Sequence, residues 1–222
     1  MKQHKTIIFG SLLLAAALLS QGCGQPSNES MLDKGNYAMW QGRWSDAAEE
    51  FRAAASLHPG DWEAQYNLGQ CYMEMGQPQL AAQSLAVAES LKPYNTDIAD
   101  LYAESLMQSD KSDKLYSFLF NRAQSQQTVR SWTKFAEYAM ELDDPDSATN
   151  AINTAIALSD GTNIRPYVVA ATFAQRLGDD TLAVTYWKQA WMIEPTNVDI
   201  TNAIRSYGEV PGPTMTGVDD IE

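Results

Sequence analysis

The chain has 222 residues, 45% of them hydrophobic, enough for one sizeable domain or an extended array. Its net charge of -13 argues against a nucleic-acid binder, which needs a basic face towards phosphate, and against adhesion to anionic lipid by charge. Abundant Ala with sparse Ile and Val predicts an all-α fold, and two cysteines, Cys23 and Cys71, make no disulfide framework.

Lys2 and Lys5 give a positive start, and the apolar run Ile7 to Leu19 has the length of a signal h-region. The run is shorter than the roughly 20 residues of a bilayer span. Ser20-Gln21-Gly22-Cys23 follows it directly. Small residues before a cysteine in this position resemble a bacterial lipoprotein signal. That resemblance implies that 1–22 is a signal peptide removed before Cys23, and that Cys23 carries lipid and anchors the protein to a membrane. The usual Leu three residues before the cysteine is Ser20 here, with Leu19 one place too early. An ordinary cleaved signal and an uncleaved anchor are the other readings, and all three export the domain. Gly24 stands where an Asp commonly signals inner-membrane retention, so the resemblance implies the outer membrane, facing the periplasm. Residues 23–30 are the lipidated cysteine and a short polar tether, GQPSNES after the cysteine.

Beyond the tether the chain repeats itself. Ala47 and Ala81, Gly42 and Gly76, and Pro59 and Pro93 are each 34 apart, and Pro195 lies three further periods on. This frame divides the chain into units at 28–61, 62–95, 96–128, 129–162 and 163–197. Each predicts two helices with a turn between. In the first, Trp44, Ala47, Phe51, Ala54 and Ala55 recur at helical spacing, and Pro59-Gly60 ends the unit. In the second, Leu68, Gly69 and Tyr72 lie on one helix and Ala81, Leu85 and Ala88 on the other, around the turn Gly76-Gln77-Pro78. Small residues on one helix let a neighbour approach closely while large ones opposite fill the space.

These residues resemble the tetratricopeptide repeat. Gly35, Ala47, Phe51, Ala54 and Pro59 carry the likeness in the first unit, and Leu68, Gly69, Tyr72, Ala81 and Pro93 in the second. Trp132, Ala136 and Ala148 carry it in the fourth, and Tyr167, Ala171, Gly178, Ala183, Trp187, Ala190 and Pro195 in the fifth. The third is degenerate: Leu115 and Arg122 stand where the family has small residues, so its helices pack wider or its frame shifts by one. The resemblance implies an all-α solenoid, a right-handed superhelix of about five helix-turn-helix repeats whose first helices line a concave groove. Residues 198–207 are expected to cap it, because a solenoid must cover its last unit. Residues 208–222 have Pro, Gly and acid without period, and are expected to be a disordered acidic tail.

No catalytic set is visible. His4 leaves with the signal, and His58 alone, before Pro59, reads as a surface or capping residue. No triad, metal-ligand spacing or phosphate loop accompanies it, so neither an enzyme nor a cofactor is expected. The acidic turns Asp143-Asp144-Pro145-Asp146 and Gly178-Asp179-Asp180 lack the calcium-loop pattern and read as helix caps. Cys71 reads as a buried, inert thiol.

A methionine ladder suggests where a partner binds. Met39, Met73, Met107 and Met140 are spaced 34, 34 and 33 apart, each near the end of a first helix. The resemblance places them in the groove, with Leu32, Asn36, Trp40, Glu63, Tyr66, Gln70, Glu74, Asp97, Asp100, Glu104, Glu137 and Glu141 in neighbouring slots. An apolar stripe bordered by acid suits a protein or peptide with apolar anchors and basic flanks. Arg165 and Arg176 reverse the sign in the last unit, which would orient such a ligand. Alternatively the methionines only fill gaps between units. The expected function is a membrane-anchored protein-interaction module, an adaptor or assembly factor of the bacterial envelope. The alternative is a self-associating structural spacer.

Overall fold

The computed structural model describes residues 27–212. The expected signal peptide, Cys23, the first residues of the expected tether and residues 213–222 of the expected tail lie outside the described residues. Eleven α-helices and no strand occur among the described residues. They are α1 (Asn28–Trp40), α2 (Trp44–Leu57), α3 (Trp62–Glu74), α4 (Pro78–Leu91), α5 (Thr96–Gln108), α6 (Ser112–Gln126), α7 (Val129–Glu141), α8 (Pro145–Leu158), α9 (Arg165–Leu177), α10 (Asp180–Ile193) and α11 (Val198–Ser206).

Local chemistry sets these boundaries. Pro78 and Pro145 open α4 and α8, where a missing amide proton costs nothing. Asp61, Asp144, Asp179 and Asn197 cap α3, α8, α10 and α11 by accepting from first-turn amides. The acidic turns are thus capping devices, as expected. Gly42, Gly76 and Gly178 take positive φ after α1, α3 and α9; Asp110 and Asp143 hold the same turn after α5 and α7, at φ 57° and 59°.

The helices form two compact units, the first ending at Tyr102 and the second beginning at Ala103. In the first unit α1 packs on α2, α2 on α3 and α3 on α4. The approach is close where glycine allows it: a Cβ on Gly35 would lie 2.6 Å from the Phe51 ring, and one on Gly69 2.5 Å from Leu85 Cγ. Phe51, Leu85, Ala47, Ala54, Ala81 and Ala88 are fully buried, which is the small-against-large pattern of the sequence.

In the second unit α6 packs on α7, α7 on α8, both α7 and α8 on α9, and α9 on α10. Leu115 is fully buried, while Arg122 is half-buried and Ala123, one residue later, takes the fully buried place. The frame of the degenerate repeat therefore slips by one residue towards the end of α6, which runs for 15 residues where α2, α4, α8 and α10 run for 14. Tyr116 and Phe120 of α6 meet Trp132 and Phe135 of α7 edge-on, at centroid distances of 5.2 to 6.4 Å. α11 packs on α10, and its Ile200 and Ile204 are buried in one cluster with Ala171, Trp187 and Ala190. The start of the tail is held as well: Gly208 bonds back to Arg205, and Glu209 pairs with Lys188 at 3.3 Å.

Candidate protein-interaction surfaces

In the first unit two polar links set α1 beside α3. Asn28 donates to Asp61 Oδ2 at 2.6 Å, and Asn67 donates through Nδ2 to Asn36 Oδ1 at 3.3 Å. Asp61 also caps α3, so one side chain fixes both the start of α3 and its neighbour. Along α3, Glu63, Tyr66, Gln70, Met73 and Glu74 follow helical spacing on one side. Tyr66, Gln70 and Met73 are half-buried, and Glu63 and Glu74 are exposed. Gln70 donates to the Tyr66 hydroxyl at 3.3 Å, and burial, then the charge of Asp97, pushes the Tyr66 phenol upward. Along α1, Leu32 and Met39 are half-buried and Asn36 is exposed. Leu32 is partly spent on the core, packing against Met31, Ala54, Ala55 and Ala64. Trp40 is 80% exposed. Asp100, on the part of α5 in this unit, is half-buried.

The second unit repeats the theme with a different balance of charge. Met107 on α5 and Met140 on α7 are half-buried, and Glu104 and Glu141 are exposed. Gln108 donates to Glu104 at 3.0 Å. Glu137 receives Arg165 at 2.6 Å and lies 3.6 Å from Lys134, so its charge is neutralised between α7 and α9. Arg176 lies 3.9 Å from Asp143. The two arginines expected to reverse the sign are thus engaged by acids of α7 and its following turn. The four methionines share a half-buried state, two in each unit. The aromatic cluster of α6 and α7 and the Asn36–Asn67 pair were not anticipated; the asparagines carry no periodic apolar signal, and Phe120 falls outside the family pattern.

Among the described residues no group of His, Cys, Asp and Glu is placed to hold a metal ion. His58 is exposed at the C-terminal cap of α2. Cys71 is free and fully buried, and burial pushes its thiol up to about 11. No helix among the described residues is long and apolar enough to cross a membrane.

Residues 32–96, covering α1 to α4, match the family model of the tetratricopeptide repeat. The chain has the tetratricopeptide-repeat fold. Among solved structures it is similar to the MamA protein, at 19% identity and TM-score 0.59, over 84% of this chain and 98% of that one. It is similar to a thermophilic tetratricopeptide-repeat protein of Thermus thermophilus, at 17% identity and TM-score 0.53, over 81% and 98%. It is also similar to YrrB, described as a tetratricopeptide-repeat protein with an unusual peptide-binding site, at 13% identity and TM-score 0.56, over 82% and 92%. No curated protein matches the chain.

Proposed function

We propose that the protein is a non-catalytic, membrane-anchored adaptor or assembly factor of the bacterial cell envelope, tethered through lipidated Cys23 to the outer membrane and facing the periplasm. Its α1–α3 surface receives a segment of a partner protein with apolar anchors and basic flanks. The observation that supports this most is the arrangement on α3 and α1: half-buried Met39, Tyr66 and Met73 beside exposed Glu63 and Glu74. Met adapts its shape to an incoming apolar group, and each buried anchor contributes about 1.5–3 kcal/mol. The acids select basic flanks and raise the on-rate. The peptide-binding site named for YrrB lends weight to a peptide-like ligand.

Two experiments test the two halves. Cys23→Ser should release the domain from the membrane fraction or leave its precursor uncleaved; a mature chain that begins elsewhere and carries no acyl mass defeats the anchor. Met39→Glu together with Met73→Glu should abolish co-purification of partners from solubilised membranes while far-ultraviolet circular dichroism and melting stay unchanged. Recovery of the same partners at the same yield from that folded variant excludes this surface. Self-association is the competing reading, and sedimentation that depends on concentration would support it.

A further inference from the structure

The outer side of α1 carries an aromatic pair with no part in the core. Met31, Gly35 and Ala38 are the buried side of this helix. Tyr37 and Trp40 are 58% and 80% exposed, and their rings stack at a centroid distance of 6.0 Å and an interplanar angle of 25°. Lys34 precedes them and Arg43 follows, each three residues away and exposed. The aliphatic stems of such cations lie along apolar surface while their heads reach polar groups. Arg43 also binds Gln41 and, at 2.6 Å, Asp46. Glu29 and Asp33 are exposed on α1 as well, so attraction by charge is not what this side offers.

Tryptophan and tyrosine favour the headgroup region of a bilayer, where an apolar ring and a polar tip are both satisfied. The chain places this pair near one. Only Gly24 to Ser27 separate Cys23 from the first residue of α1, a reach of about 17 Å when extended. Helix α1 adds only about 20 Å from end to end. We propose that the Tyr37–Trp40 pair of α1 seats in the headgroup region of the membrane that holds Cys23, so that the array is oriented on the bilayer rather than swinging on its tether. This rests on the lipid anchor proposed above. Lipid on Cys23 supplies retention; the aromatic pair supplies orientation, which leaves the α3 acids free to face a soluble partner.

The acylated protein, purified from membranes, is reconstituted in phosphatidylethanolamine–phosphatidylglycerol vesicles with brominated acyl chains, and its tryptophan emission is compared with that in unbrominated vesicles. Quenching should be present in the unaltered protein and in Trp62→Phe, and lost in Trp40→Phe. Intact mass and flotation are measured on the same samples. A protein that floats and carries acyl mass, yet shows the same quenching in the unaltered form and Trp40→Phe, overturns the seating and leaves the anchor standing. A protein without acyl mass that stays at the bottom of the gradient overturns both. A concentration-dependent blue shift of Trp40 emission without vesicles, alongside no lipid quenching, assigns the pair to contact with a second copy and also overturns the seating.

Discussion

Gly69 is buried against Leu85 with no room for a methyl group, because a Cβ there would meet Cγ at 2.5 Å. Gly69→Ala should therefore cost about 1–3 kcal/mol in denaturant unfolding through overpacking. Adding Leu85→Ala should cost less than the two single changes summed, since the pair shares one space. The sequence pattern identified both residues, because Gly35 and Gly69 stand 34 apart and the large residues Phe51 and Leu85 keep the same spacing. Asp144 makes a second test. Hydrogen bonds from the Ser147 side chain and amide hold its carboxyl below the usual carboxylate range, with a smaller opposing effect of burial. The folded pKa is depressed, so this stabilisation is present above the unfolded value and is lost as pH falls through the folded value. Asp144→Ala should lower stability by about 1 kcal/mol at pH 7, as loss of a cap does. The difference from the unaltered protein should shrink as melting is followed into acid.

At the scale of the helix, α6 is where local and long-range demands conflict. Its flanking turns hold Asp110 and Gln127 in the left-handed region, at φ 57° and 48°, and at the place of Asp110 the first two repeats use glycine, after α1 and α3. Lys111 at its start makes no side-chain cap. Repeat stability is a sum of local and nearest-neighbour contributions, so weak local terms show up locally. Native-state amide exchange, apart from the ends, should be fastest within 96–128; uniform protection across the five helix pairs would contradict this. The aromatic cluster between α6 and α7 opposes the weakness by burying large rings, and the slip that brings Ala123 inside is the other adjustment. The sequence showed that Leu115 and Arg122 break the pattern. It left two outcomes open, wider packing or a shifted frame, because a helix can meet a misplaced residue by either route and only its neighbours choose.

For the whole molecule, the surplus of acid matters through where it stays exposed. Glu63 and Glu74 are exposed in the first unit, whereas Glu137 in the second is neutralised by Arg165. Charge reversal by Glu63→Lys with Glu74→Lys should reduce partner capture several-fold at low salt and little at high salt, because exposed charges are screened beyond about 8–10 Å at ordinary ionic strength. An equal loss at all salt concentrations would assign the effect to shape. The sequence by itself determined the all-helical repeat, because hydrophobic period, glycine turns and proline starts act within about one helix length, and repetition multiplies each signal. It also identified the acidic turns as caps, since capping is a contact between residues three apart. Tertiary structure alone decided which charges are neutralised, which helix face meets its neighbour through Asn36 and Asn67, and that Trp40 stands exposed while Leu32 is partly drawn into the core. Those outcomes depend on residues some 30 positions apart being brought to within a few ångströms, and a linear pattern carries no record of that distance.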